Sequence, residues 1–220
     1  MKIEFHSLYW PNTDSRIITA HQETLNHFDF EVNYHSKQID HGRWMDTVIK
    51  DSKNELIGFF DIDCVPTSRQ KVLNCIKKIQ KEKTFLGIAQ VANHIKPKSH
   101  IYAAPAFFII HKECYEKIDK SMTATAIGDV CETFCYFAEH IDIPYYCLYP
   151  DAYFKEPKEG VWRLGNYGNY GIGTIFDSTV YHLYQSRITE NVDLFEQHCY
   201  DIRRNMLLTS NNFISSKHII

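Results

Sequence analysis

Two carboxylates lie one residue apart, directly after a strongly apolar stretch of the sequence. Residues 56–60 (LIGFF) are followed by Asp61, Ile62 and Asp63. An apolar run of this length, with aromatic residues and a polar exit, predicts a buried β-strand, which Pro66 ends. Because side chains two residues apart on an extended backbone point the same way, we expect both carboxylates to face one spot. Two such charges repel each other unless a proton or a cation lies between them.

A solvated turn without a function is the simpler explanation of an Asp-x-Asp sequence. The apolar run before the pair favours a functional site, because open α/β sheets bind their ligands at the carboxyl ends of the strands. The pair is therefore the first candidate site, and the rest of the sequence has to supply the elements that position it.

Length and composition limit the class of protein. The chain has 220 residues, of which 44% are hydrophobic and 23% charged, which predicts one soluble globular domain. A net charge of −3 gives no sign of a nucleic-acid or membrane surface. No apolar run approaches the roughly 20 residues that span a bilayer, and the N-terminus lacks a signal peptide. Seven cysteines without a CxxC pair indicate reduced thiols, so we expect a cytoplasmic protein.

Strand and helix patterns alternate through the first half of the chain. Helix starts are predicted at Thr13–Ser15, after residues 40–42 and at Thr67–Ser68, where short polar residues can cap a helix. This β-α-β-α-β-α-β order predicts a parallel sheet with helices on its faces, as in nucleotide-binding α/β units. The predicted strands are 2–10, 28–34, 56–60 and 85–91.

The second half is less regular. A long ordered loop is predicted at residues 155–174 (KEPKEGVWRLGNYGNYGIGT), and its aromatic residues favour contact with a substrate. Other predicted elements are strands at 104–110 and 145–149 and helices at 112–118, 128–140 and 189–208.

The order of these motifs resembles the GT-A glycosyltransferases, enzymes that move a sugar from a nucleoside diphosphate to an acceptor. The likeness covers most of the chain. It lies in residues 6–10 (HSLYW), 61–63 (DID), 128–132 (GDVCE) and 181–184 (YHLY).

The resemblance implies one GT-A-like α/β domain over residues 1–220. Its nucleotide-sugar-binding half, at about 1–100, would be Rossmann-like with a mixed sheet. The acceptor-binding half, at about 101–220, would be irregular.

A metal site is also implied by the resemblance. Asp63 would ligate Mn²⁺ or Mg²⁺, Asp61 would hold the ribose or a metal-bound water, and His182 would complete the protein ligands. Both metals prefer oxygen ligands, and manganese accepts an imidazole as well. A divalent ion neutralises the charge of the departing nucleoside diphosphate. A purely structural His182 is the alternative, since the chain has twelve histidines.

The donor pocket implied by the resemblance begins on the first strand. Ser7, Leu8 and Tyr9 would lie near the base or the ribose. Asp40 and His41 are weaker candidates for the same pocket, because capping of the following helix would also explain them. Uridine diphosphate is the expected nucleotide, by its frequency in the family.

An inverting transferase needs a base that takes the proton of the acceptor hydroxyl. Asp129 and Glu132 are the candidates, since residues three apart share one face of a helix. Helix capping is the alternative for Asp129 and a solvated face for Glu132. The more usual Glu-Asp pair of the family is replaced here, so the identity of the base and the stereochemical outcome stay open.

Aromatic residues of the second half are the expected acceptor site, because sugar rings stack their apolar faces on aromatic rings. The residues are Tyr102, Trp162, Tyr167 and Tyr170, and a core or turn role is the alternative for each. A glycan, a lipid-linked sugar and a protein side chain all remain possible acceptors.

Two rival functions remain. Haloacid-dehalogenase-like phosphatases also carry Asp-x-Asp after an apolar strand, with Asp61 then the nucleophile and Asp63 an acid/base. Their pair normally follows the first strand of the fold, whereas two β-α units precede it here, so the transferase is preferred. The second rival is a module that binds a nucleotide or sugar without turnover.

Overall fold

A computed structural model describes residues 2–91, 100–126, 128–207 and 212–216. The helices of these ranges are α1 (Ser15–His27), α2 (His41–Asp51), α3 (Arg69–Glu82), α4 (Lys112–Ile118), α5 (Glu132–His140) and α6 (Thr189–Arg203). The strands are β1 (Ile3–Tyr9), β2 (Val32–Ser36), β3 (Leu56–Phe60), β4 (Cys64–Pro66), β5 (Phe85–Val91), β6 (Ile101–His111), β7 (Tyr146–Leu148), β8 (Pro150–Lys155), β9 (Trp162–Arg163), β10 (Asn169–Tyr170), β11 (Ile172–Phe176), β12 (Val180–His182) and β13 (Ile214–Ser215).

The central sheet has the order β2-β1-β3-β6-β5-β7 within the described residues. β1 is parallel to β2 and β3, and β5 is parallel to β7. β6 is antiparallel to both of its neighbours, β3 and β5. The predicted α/β fold class with a mixed sheet is therefore confirmed.

The predicted strand β5 runs in the same direction as β3, but the two are not neighbours, because the antiparallel strand β6 lies between them. β6 is eleven residues long and buried over most of its length. Burial on both faces is typical of a strand in the centre of a sheet. In that position, neighbouring strands also pair with both edges of β6. Local sequence patterns contain no information on this choice of neighbour.

A second sheet, β13-β8-β11-β12-β4, is antiparallel, and its strand β4 directly follows the aspartate pair in the chain. Part of it comes from residues 155–174, which were predicted as a loop. That stretch contains β9, a 3-10 turn at Gly165–Tyr167, β10 and the start of β11, and β9 and β10 pair in a separate two-stranded sheet. The prediction failed because these strands are only two to five residues long and lie between glycines.

Other predicted boundaries are also wrong. The helix predicted from 128 begins at Glu132, since its N-cap Cys131 has a left-handed backbone with φ 67°. The helix predicted to end at 208 ends at Arg203, and the strand predicted from 28 begins at Val32.

Side-chain caps start the first three helices. Asp14 accepts a hydrogen bond from the Arg16 N–H, and Ser68 accepts one from the Lys71 N–H, both at predicted helix starts. These caps satisfy backbone donors that have no partner inside the helix.

The largest buried apolar cluster contains residues from both halves of the chain, from Phe5 to Leu207. All five residues of β3 are buried, as expected for the strand that precedes the aspartates. In the part of the chain that the structure describes, no helix is long and apolar enough to cross a membrane.

Gly58 allows a close contact between β1 and β3. It pairs with Phe5 across the strands, and a Cβ atom at Gly58 would lie 2.3 Å from Cδ1 of Phe5. The Phe5 ring cannot easily move, because it packs on Phe30 and Phe60 with centroids 5.6 and 5.1 Å away.

Gly58→Ala should therefore lower the free energy of unfolding by about 1–3 kcal/mol, as expected when a packed core is overfilled. Urea unfolding measures the change. The double variant Phe5→Leu/Gly58→Ala is the control, and it should lose less than the sum of the two single losses. A Gly58→Ala variant as stable as the wild type would show that the contact is not constrained.

Candidate metal-binding cleft

The two aspartates lie in a turn that joins β3 of the central sheet to β4 of the second sheet. The Asp61 N–H donates to the Ala106 carbonyl at 2.8 Å, and the Cys64 N–H donates to the Asp61 carbonyl at 2.9 Å. The expectation that an extended backbone aligns the two side chains is therefore wrong, because the backbone has turned. The turn itself brings the carboxylates to one place.

His182 reaches the same place from the second sheet. β12 pairs with β4 so that His182 lies opposite Cys64, and the Leu183 N–H donates to the Asp63 carbonyl at 2.9 Å. The imidazole Nε2 lies 3.3 Å from Oδ1 of Asp63. The predicted ligands Asp61, Asp63 and His182 each offer one atom, and these atoms lie within 4.8 Å of one another.

This group could hold a metal ion, and its chemistry suits manganese or magnesium. Two carboxylate oxygens are hard ligands that both ions prefer, and the imidazole favours manganese. The His182 ring is buried on its outer side by Tyr184, with ring centroids 4.1 Å apart. The other ring nitrogen, Nδ1, is buried without a hydrogen-bond partner in the described residues.

The pKa values of the two carboxylates shift in opposite directions. Burial raises the pKa of Asp61, where His41 opposes the rise and Asp63 adds to it. Burial acts in the same direction on Asp63, but attraction to His182 and hydrogen bonds from His182 and Ser186 outweigh it, so the pKa of Asp63 is lowered. Asp63 is therefore the better ionised member of the pair, and a cation nearby would favour ionisation of both.

The aspartates open into a cleft of 590 Å³ at the carboxyl ends of β1 and β3. Its lining comes from the end of β1, the turn after β3, the starts of helices α1, α2 and α6, and Val130 before α5. The lining residues are Leu8, Tyr9, Trp10, Asn12, Thr13, Asp14, Ile17, Ile39, Asp40, His41, Asp61, Ile62, Asp63, Val130, Ser186, Arg187, Thr189 and Val192.

Positive charge lies on the α6 side of this cleft. Ile188, the N-cap of α6, makes no side-chain cap, unlike Asp14 of α1 and Asp40 of α2. The dipole of α6 therefore favours negative charge at this end, part of which Glu190 in the first turn supplies. Arg187 precedes the helix, and its guanidinium lies 4.7 Å from the centre of the Trp10 ring across the cleft.

Most residues of the predicted donor pocket line this cleft. Leu8, Tyr9 and the two aspartates are among them, whereas Ser7 is fully buried beneath the wall. Asp40 also caps α2 by accepting from the Arg43 N–H at 2.8 Å. His41 places Nε2 3.3 Å from Oδ1 of Asp61.

The two predicted candidates for the general base, Asp129 and Glu132, do not share a helix face, because α5 begins only at Glu132. Oε2 of Glu132 accepts from the Asp129 N–H at 2.8 Å, and Oδ1 of Asp129 accepts from the Val130 N–H at 2.8 Å. Neither carboxylate lines the cleft, although Val130 between them does. The helix-face argument for this pair is therefore wrong.

The predicted acceptor residues are mostly buried. Tyr102 and Tyr170 are 0% exposed and Trp162 is 9% exposed, whereas Tyr167 is 56% exposed and stacks on Tyr149. The sequence could not distinguish a buried aromatic residue from a sugar-binding one, because the same residue types, Tyr and Trp, serve both roles.

These buried rings pack behind His182. Trp162 and Tyr170 pack against Tyr184 with centroids 4.9 and 5.5 Å away, and Tyr184 packs against His182. The cluster thus fixes one side of the His182 ring.

Several lining residues were not anticipated from the sequence. Ser186 donates to Asp63, and Trp10 and Arg187 face each other across the cleft. Their positions in the sequence could have identified two of them. Arg187 lies just before the predicted helix α6, and Trp10 directly follows the predicted donor-pocket residues.

No model of a protein family matches the chain, and none of the curated proteins does. Among solved structures, the chain is similar to a protein from STIV at 15% identity and a TM-score of 0.48, over 83% of this chain and 94% of that one. It is also similar to a mutant β-1,4-galactosyltransferase 7 from Drosophila in complex with manganese, UDP-Gal and xylobiose, at 12% identity and a TM-score of 0.41.

A third similar structure is 4-diphosphocytidyl-2C-methyl-D-erythritol synthase from Anaerococcus prevotii, at 11% identity and a TM-score of 0.40, over 90% of this chain and 96% of that one. The similarity to the galactosyltransferase named above covers 66% of this chain and 64% of the galactosyltransferase chain. TM-scores and identities this low give no basis for an assignment of activity.

The opposite pKa shifts predict opposite effects on stability. In metal-free protein at pH 7, Asp61→Asn should raise the free energy of unfolding, because a raised native pKa makes the ionised group a cost to the folded state once the pH exceeds its ordinary value. Asp63→Asn should lower it by about 1–3 kcal/mol, because hydrogen bonds to a charged group are lost.

The stabilising contribution of Asp63 is present above the ordinary carboxyl pKa and is lost as the pH falls through its lowered native value. Urea unfolding in chelator measures both variants. The exposed Asp142 supplies the control Asp142→Asn, which should change stability by less than about 0.5 kcal/mol. Shifts of the same sign in both site variants would contradict this description of the pair.

Proposed function

We propose that this chain is a metal-dependent glycosyltransferase that moves a sugar from a nucleoside diphosphate, with UDP as the expected nucleotide, to an acceptor hydroxyl. The observation that carries the proposal is the convergence of Asp61, Asp63 and His182 beside a cleft that the two aspartates line and that has Arg187 on its α6 side. Such a cleft provides a cation site and an anion site next to each other, which suits a diphosphate bound through a divalent metal.

The position of the cleft also supports a nucleotide. It lies at the carboxyl ends of parallel strands, where open α/β sheets bind their ligands. In this proposal, Leu8, Tyr9 and Trp10 form the wall against the base and ribose. Arg187 and the uncapped start of α6 bind the phosphates.

Asp63 and His182 hold the metal directly in this proposal, and Asp61 holds the ribose or a metal-bound water. The metal supplies Lewis-acid neutralisation of the diphosphate leaving group. His41 and Ser186 orient the two carboxylates from either side, through Nε2 of His41 and the hydrogen bond of Ser186 to Asp63. Tyr184 keeps His182 in place.

The proposed base is one of Asp129 and Glu132, whose side chain would turn toward the cleft at Val130 when the acceptor binds. Glu132 already uses one oxygen to accept from the Asp129 N–H. Asp129 is half-buried and precedes Val130, which lines the cleft. A carboxylate base on the acceptor hydroxyl fits inversion at the sugar carbon.

The test is release of UDP from a panel of UDP-sugars with Mn²⁺, in the absence of acceptor and with simple sugar acceptors. Asp63→Ala should reduce turnover by about 100-fold or more, because it removes a direct charge contact at the leaving group. Asp61→Ala should keep weak activity, and His182→Ala should raise the Mn²⁺ concentration needed. Activity should be higher with Mn²⁺ than with Mg²⁺.

The matched control is His140→Ala, an exposed histidine at the end of α5, which should leave turnover unchanged. Full activity in chelator, or a normal Asp63→Ala variant, would refute the proposal. Release of inorganic phosphate that depends on Asp61, proceeds with Mg²⁺ and does not need His182 would establish the phosphatase instead. Tight nucleotide binding without any turnover would establish a binding module.

A further inference from the structure

A second cleft lies beside the first half of β1, apart from the aspartate site. Its volume is 250 Å³, and it is bounded by β1, the end of β2 and the outer turns of α2. The lining residues are Glu4, His6, His35, Lys37, Trp44, Thr47, Val48, Asp51 and Ser52.

Two histidines of this cleft face each other across the neighbouring strands β1 and β2. Nδ1 of His6 lies 3.1 Å from Nε2 of His35. The His6 side chain is 8% exposed. A contact of this length between two ring nitrogens requires a proton on one nitrogen and a lone pair on the other. At least one imidazole is therefore held with a free lone pair directed at its partner.

Glu4 lies on the other side of the His6 ring, at a distance longer than a hydrogen bond. Oε1 of Glu4 lies 3.6 Å from Nε2 of His6, and Oε2 accepts hydrogen bonds from Ser52 Oγ at 2.8 Å and from Asn54 Nδ2 at 2.9 Å. The carboxylate favours the tautomer with hydrogen on Nε2, which leaves the lone pair on Nδ1. Histidines that bind metals characteristically carry a carboxylate or carbonyl at the second ring nitrogen in this way.

We propose that this second cleft binds one divalent transition-metal ion of the zinc class, with Nδ1 of His6 and Nε2 of His35 as its protein ligands. With metal–nitrogen bonds of about 2.0–2.1 Å, the observed separation of 3.1 Å corresponds to an angle of about 100° at the metal, between octahedral and tetrahedral coordination. The ion lies to the cleft side of the two nitrogens, where water fills its remaining positions.

Binding needs no change in total charge on the protein. His35 exchanges its Nε2–H for the Nδ1–H tautomer, so that both rings stay neutral, and each ring turns by about 40° so that its lone pair leaves the line between the two nitrogens and points to the ion. Glu4 and Asp51 outnumber Lys37 among the charged lining residues, which favours a cation. Two imidazole ligands favour zinc, nickel or copper and disfavour magnesium.

The ion would join β1 and β2 through residues that are 29 apart in the sequence. Because it binds the folded state, it should raise the melting temperature with increasing metal concentration. This site shares no residue with the aspartate cleft, so the inference does not depend on the proposed function.

The test uses zinc and calorimetric titration of the full chain in an Asp63→Ala background, which disables the first site. The expected result is one equivalent of bound zinc, lost in Asp63→Ala/His35→Gln and kept in the matched control Asp63→Ala/His140→Gln. Glu4→Gln in the same background should weaken binding by about 10–100-fold, as expected for an outer-shell partner. Mg²⁺ should give no heat of binding.

A second measurement keeps the test decisive if His35→Gln does not fold. Trp44 packs on His35 with ring centroids 5.4 Å apart, so Ni²⁺ at the site should quench Trp44 fluorescence in the Asp63→Ala protein. Zinc binding unchanged by a folded His35→Gln variant, no zinc binding in Asp63→Ala, or no quenching by Ni²⁺ would overturn the inference.

Discussion

The repulsion between Asp61 and Asp63 is the constraint on which the arrangement of the cleft depends. The turn after β3 brings two carboxylates together at the edge of a buried sheet, and burial penalises the charge of both. Such a pair is stable only if hydrogen bonds, a shared proton or a nearby cation compensate. The second sheet provides the compensation within the protein, because the pairing of β12 with β4 places His182 beside Asp63.

The same junction joins the two sheets. β3 belongs to the central sheet and β4 to the second sheet, so the residues between them are held by both. Residues positioned by two packed sheets vary little in relative position, as a metal site requires. The cost is a carboxylate whose ionisation opposes folding, a trade between stability and function that is common at active sites.

The sequence predicted those features that local patterns determine. β1, β3 and the caps at Asp14 and Ser68 follow from apolar periodicity and short polar side chains. The choice of Asp61, Asp63 and His182 as one group came from a family resemblance, and their approach to 4.8 Å of one another depends on pairing between strands more than one hundred residues apart. Hydrophobic periodicity does not predict that β12 pairs with β4, and it does not predict that β6 lies beside β3. The local sequence also does not show that Tyr102 and Tyr170 are buried, because aromatic residues occur both in cores and in sugar-binding sites.

The central claim is that the aspartate turn and His182 hold one metal ion against a nucleoside diphosphate. Diffraction data collected at the manganese absorption edge, from crystals grown with Mn²⁺ and UDP, test it most directly. The predicted result is an anomalous peak in contact with Asp63 and His182, with the diphosphate between that peak and Arg187. UDP bound in the cleft without a peak at these residues, or a manganese peak elsewhere on the protein, would contradict it.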